Sequence, residues 1–199
     1  VQSQPARLPG AAPAIGFVEQ RGDSTPPANT VSLPGPVLEL ERGKPVRIVL
    51  VNRLAEPTSV HWHGLEIESY PDGVPNWSGL GDRIYSQIAP GDSFVAEFVP
   101  PRSGTFPYPS HFNDRHQINS GMYGAVLVTD KKRDATRDHL IVTGGGGPPI
   151  EHKFESPYAL VNGRRSPEPL RLTVGETHRL RFVSIHPDWG IHYTLRNDS

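Results

Sequence analysis

From Val37 onward the chain is a series of short runs of β-branched, aromatic and aliphatic residues cut by turn residues: Val37–Glu41, Val46–Asn52, Thr58–His63, Ser93–Val99, Thr105–Tyr108 and Met122–Val128. Each run has strand length and strand composition. Val46-Arg-Ile-Val-Leu-Val-Asn52 carries apolar residues on both faces, as a strand buried inside a sandwich does, whereas Ser93–Val99 alternates only partly. Arg42-Gly43, Pro90-Gly91 and Ser103-Gly104 punctuate the runs as turns. The spacing predicts an all-β domain, a Greek-key sandwich or barrel, over residues 31–130.

On either side of this block the pattern weakens. Residues 1–30 are rich in Pro, Ala, Gly and Ser, and only Ile15–Val18 reads as a strand, so the segment is expected to lie as an arm over a core built elsewhere. The charged stretch 131–138 reads either as an interdomain linker or as a solvated loop. A second strand series follows over 139–199: His139–Thr143, Tyr158–Val161, Leu170–Val174, Arg179–Ile185 and Ile191–Arg196. It is short for a freestanding sandwich and is read as an incomplete second domain, with an open edge that could promote oligomerisation. Gly144–Gly147 followed by Pro148-Pro149 lacks the Lys-Ser/Thr and helix start of a phosphate loop and reads as a connection.

Composition narrows the chemistry. With 20 Gly and 22 Pro among 199 residues, long uninterrupted helices are excluded. No apolar run approaches the ~20 residues of a membrane span. Twenty basic against 21 acidic residues, without a sustained basic run, argue against a nucleic-acid partner. The absence of cysteine removes disulfides, zinc–cysteine sites, iron–sulfur clusters and the thiolate of a blue-copper centre.

Nine histidines remain, and three draw attention: His61 and His63 in His61-Trp-His-Gly64, and His111 after Tyr108-Pro-Ser. On a strand, residues i and i+2 share a face with Cα atoms about 6.6 Å apart, so two imidazoles can meet one ion or two neighbouring ions. Without further context such a pair also fits two ordinary surface or core histidines. His139, His152, His178, His186 and His192 share no ligand spacing, and His116 reads either as a loop residue or as a substitute ligand.

The surroundings of these histidines resemble the first cupredoxin domain of the multicopper oxidase (laccase-like) family. The resemblance runs through Pro34-Gly-Pro36, Thr58–Gly64, Asp72-Gly-Val-Pro75, Ile88-Ala-Pro-Gly91, Gly104–His111, Gln117 and Gly121–Val128; Leu160-Val-Asn-Gly163 and Arg179–Val183 look like the opening of the second domain. It implies a cupredoxin-like β-sandwich holding copper (Cu2+). His61 would ligate the type 2 ion, and His63 and His111 one ion each of the type 3 pair, at a site where O2 is reduced to water by an unidentified reducing substrate. Asp72 matches the family's acidic proton relay, although Asp72-Gly73 alone is also an ordinary turn. The resemblance further implies a secreted or periplasmic protein.

Two departures matter. Where the family has Tyr-His-Ser-His, this chain has Tyr108-Pro109-Ser110-His111, so one ligand is missing. The third domain with its His-Cys-His motif is also absent from the sequence, so it is expected from a longer chain or another subunit. Three readings stay open: the amino-terminal part of a copper oxidase, a mononuclear copper-binding or copper-handling module, and a sandwich without metal.

Overall fold

In a computed structural model of the chain, the described residues are 2–7, 13–146, 159–188 and 190–194. Two sheets form the main body. The first has the order β2–β1–β4–β7, with β1 Gln2–Arg7, β2 Pro13–Val18, β4 Val46–Asn52 and β7 Ser93–Phe98. The second has the order β3–β9–β8, with β3 Leu38–Glu41, β8 Gly104–Pro107 and β9 Ala125–Thr129. β4 and β7 run antiparallel from Val46↔Phe98 to Val51↔Ser93, while β3 pairs parallel with β9. Between the sheets lie Phe17, Leu50, Ala96 and Phe98 from one side and Phe106, Val126 and Val128 from the other, with Trp62 and Tyr108 fully buried among them. Burying side chains of this size removes roughly 1.5–3 kcal/mol of apolar exposure each, which makes this core the main source of stability. The fold is all-β and cupredoxin-like, a two-sheet sandwich.

The N-terminal segment differs from the expected arm. β1 and β2 form a hairpin, and β1 adds parallel to β4 through Gln2↔Val51 and Ser3↔Asn52, so the segment extends the first sheet. The polar composition of Gln2–Arg7 hid a strand that is specified by the backbone pairing available at the edge of β4.

Thr58–His63 is not a strand. Apart from an isolated bridge between Thr58 and Ile88 it is an extended segment: His61 N–H donates to the Pro109 carbonyl at 3.0 Å and Trp62 N–H to the Asp72 carbonyl at 3.4 Å. Its donors go to two different loops. A two-residue hairpin, β5 Gly79–Leu80 and β6 Arg83–Ile84, follows, and a short helix, α1 Asp114–Asn119, lies where sequence gave no apolar helical period.

The second part of the chain contributes a three-stranded sheet of order β11–β10–β12, with β10 Asp138–Gly145, β11 Ala159–Val161 and β12 Arg179–Ser184. Val142 and Val183 of this sheet pack with Ile118, Tyr123 and Ala125 of the main body. Arg181 binds Asp138 through two hydrogen bonds, at 2.6 and 2.7 Å, and reaches Thr105 of β8 at 2.9 Å. The charged stretch before β10 is an ordered turn whose Arg133 bonds Glu39 and the Asp138 carbonyl. Residues 170–174 and 191–194 form no strand: the alternation of Leu170, Leu172 and Val174 has no neighbouring backbone to pair with among the described residues, and these side chains are exposed. Gly144–Gly145 extends β10, whereas Gly147–Pro149, His152, Tyr158 and Arg196 lie outside the described residues.

Candidate metal centre

Trp62 organises the site. Its ring is fully buried against Phe98 and Tyr108, with centroids 5.4 and 6.0 Å away, and its indole N–H donates to the Pro71 carbonyl at 3.0 Å. Successive residues of an extended backbone point to opposite sides, so an inward Trp62 turns both of its neighbours outward. His61 and His63 accordingly stand side by side with ring centroids 5.3 Å apart. His111, from the segment after β8, completes the group at 5.2 Å from His61. Both ring pairs meet nearly edge to face, at 86°.

Asp72 reaches this group through a tight turn. Tyr70–Asp72 is a single 3-10 turn closed by Gly73 in the left-handed region at φ 81°. A Cβ at Gly73 would lie 1.9 Å from the Val60 carbonyl oxygen, so only glycine lets the turn close against the histidine segment. The Asp72 main-chain carbonyl then sits 3.0 Å from His61 Nδ1 and its carboxylate 3.3 Å away. Since a carbonyl only accepts, Nδ1 carries the proton and Nε2 keeps its lone pair, the tautomer that a metal needs.

Electrostatics separate the imidazoles. Burial pulls the His61 pKa down, but the hydrogen bonds to Asp72 and the Asp72 charge outweigh it, and the net direction is upward. His63 goes the other way: its partial burial and the neighbouring His61 and His111 lower its pKa and favour the neutral ring. A neutral imidazole is the form that binds metal.

All four residues expected at the site, His61, His63, His111 and Asp72, are thus brought together. His116 lies on α1, with Nε2 3.7 Å from Glu56, and is not part of the ring cluster. Sequence reasoning missed Asp114, whose carboxylate stands 3.7 Å from His111 Nδ1; the i,i+3 spacing was visible, but the left-handed Asn113 that folds the chain back was not. His139 and His178, set aside as unrelated, are stacked and hydrogen-bonded at 3.0 Å in the second part of the chain. Among the described residues no three His, Asp or Glu side chains converge on one point as the ligand set of a single ion. The donor set therefore fits copper in kind, as imidazoles, and among the described residues falls short in number at any one ion.

Comparison with known proteins bears on the same region. A family model for multicopper oxidases matches residues 26–133. Copper resistance protein A of Escherichia coli is 35% identical over 113 residues, 55% of this chain and 17% of that protein. Laccase-1 of Emericella nidulans is 32% identical over 155 residues, 76% of this chain and 23% of that protein. This chain thus spans less than a quarter of either relative. In fold it superimposes on a multi-copper oxidase from Pseudomonas thermotolerans with a TM-score of 0.72 at 24% identity, covering 93% of this chain and 45% of that one. With a match over more than half its length, the chain belongs to the multicopper oxidase family, and copper is the cofactor that membership implies.

Proposed function

We propose that this chain supplies the first-domain half of a copper centre at which electrons from a reducing substrate convert O2 to water. The observation that carries the reading is the placing of the His63 and His111 rings each within 5.3 Å of His61, whose Nδ1 is tied to Asp72 and whose Nε2 is left for a metal. Copper, when bound, supplies the one-electron steps that reach oxygen. His61 would hold the type 2 ion, and His63 and His111 one ion each of the type 3 pair. The Asp72 carboxylate, beside His61, would pass protons toward the oxygen being reduced. The remaining ligands, and the thiolate centre that collects electrons, would come from a third cupredoxin domain on a longer chain or another subunit. The shortage of donors at any single ion supports a site completed from elsewhere.

The same resemblance carries the proposal that the protein works in the periplasm or outside the cell. Among the described residues no helix is long and apolar enough to cross a membrane. The reducing substrate is open among phenols, bilirubin-like pigments and metal ions. A second reading, a mononuclear copper-handling module, is favoured by Pro109 in place of a ligand.

Electron paramagnetic resonance of the copper-loaded protein tests both readings. A type 2-like signal with nitrogen hyperfine structure and no intense blue colour, lost in His61→Ala, is expected. No bound copper even when the missing domain is supplied, or a signal unchanged in His61→Ala, would sink them together. Oxygen uptake that appears only when the missing domain is supplied separates the oxidase from the handling module.

A further inference from the structure

The two histidine-bearing segments are far apart in sequence and are not joined into one continuous sheet ladder, yet their rings meet within 5.3 Å. The bond from His61 N–H to the Pro109 carbonyl, at 3.0 Å, ties them at one point, and a single bond leaves the segments free to pivot about it. Both segments also bond the side chain of Gln117, fully buried on α1. Its Oε1 accepts hydrogen bonds from Thr58 Oγ1 at 2.8 Å and from Ser110 Oγ at 2.5 Å, and its Nε2 donates to the Pro57 carbonyl at 2.9 Å. Pro57 and Thr58 lead into His61 and His63, and Ser110 immediately precedes His111. One amide thus grips both segments, within four residues of His61 on one and of His111 on the other. Ser110 Oγ also accepts from Phe112 N–H, and Ser59 Oγ from His111 N–H at 3.2 Å, so the grip continues on either side of His111.

We propose that Gln117 is the positioning residue of the histidine cluster: its side-chain amide sets the distance between the His61–His63 segment and His111. The planar amide, with acceptor and donor fixed on opposite corners, allows one separation of Pro57–Thr58 from Ser110; an apolar side chain of equal length allows many. A buried amide is costly to leave unbonded, so each of these contacts resists being opened. α1 itself is held from the second part of the chain, where Arg115 and Asn119 both bind the Asp188 carboxylate. The inference rests on the reading of His61, His63 and His111 as ligands only where copper is measured.

Nuclear Overhauser contacts between imidazole rings in the metal-free protein test it without copper. In Gln117→Met the His61–His111 contact is expected to weaken several-fold while the His61–His63 contact, internal to one segment, persists. Copper affinity in the same variant is expected to fall on the order of 10–100-fold, as for losses of outer partners of metal ligands. Should Gln117→Met fail to fold, Thr58→Val with Ser110→Ala removes both hydroxyl donors while Gln117 keeps its bond to Pro57, and a smaller change of the same kind is expected. A folded variant whose only change is a lower unfolding midpoint, with both ring contacts at wild-type strength, would overturn the proposal. Wild-type protein that binds no copper while its ring contacts respond to Gln117→Met would overturn the copper reading and leave the positioning role standing.

Discussion

Gly73→Ala puts the construction of the site to a quantitative test. The substitution has two costs that the structure separates. Holding an L-residue at φ 81° costs about 1–2 kcal/mol. The new methyl would also sit 1.9 Å from the Val60 oxygen, where carbon and oxygen do not approach closer than about 3.3 Å, so the turn must retreat by more than about 1 Å. That retreat breaks the bonds from His61 Nδ1 and Trp62 N–H to the Asp72 carbonyl, at about 1 kcal/mol each. The sum is about 3–4 kcal/mol. Gly91→Ala supplies the control, since Gly91 has φ 79° and a Cβ there would meet nothing within 4 Å; it should cost only the first ~1–2 kcal/mol. Urea denaturation of both variants gives the difference, and nitrogen NMR shifts of His61 report whether Nδ1 still holds the proton. Equal losses in the two variants, or an unchanged His61 tautomer in Gly73→Ala, would refute the idea that the turn is fitted to the histidine.

Other outcomes follow from the same contacts. Asp72→Asn should lower the His61 pKa from its raised value; because a raised histidine pKa stabilises the fold fully below about 6.5 and loses that contribution as pH climbs through the folded value, the metal-free variant should lose stability mainly on the acid side, read by urea midpoints at two pH values. Asp138→Ala leaves Arg181, only 10% exposed, without its partner and should cost about 3 kcal/mol. The hydrogen bonds from Arg181 hold the Asp138 pKa below its usual value, so the wild-type contribution is present above about pH 3.9 and fades as pH falls through the depressed value; an acid-unfolding midpoint identical in both proteins would contradict it. Pro109→His keeps the carbonyl that accepts His61 N–H and is expected to tighten copper binding in calorimetric titration, whereas equal affinity would place position 109 away from the metal.

The strands legible in the sequence were those with an apolar face and a partner in the same body: Val46–Asn52 and Ser93–Val99 were read to within a residue of β4 and β7. Errors arose where backbone partners, not side chains, decide. Gln2–Arg7 became a strand by adding to β4, and Leu170–Val174 did not because no described neighbour receives it. At the site, His61, His63, His111 and Asp72 could be named because motif order carries them. The supports were hidden: α1 has no helical apolar period and is held by the side-chain bonds of Gln117, and the turn at Gly73 shows its necessity only against Val60.

The contact between His61 and Asp72 divides two tasks between the main chain and the side chain of one residue. The carbonyl that orients the imidazole carries no charge, while the carboxylate beside it does. Neutralising the side chain, as in Asp72→Asn, therefore leaves the 3.0 Å anchor of the ring in place. On the proposed relay role of Asp72, moving a proton through its side chain would leave the imidazole that it touches in place.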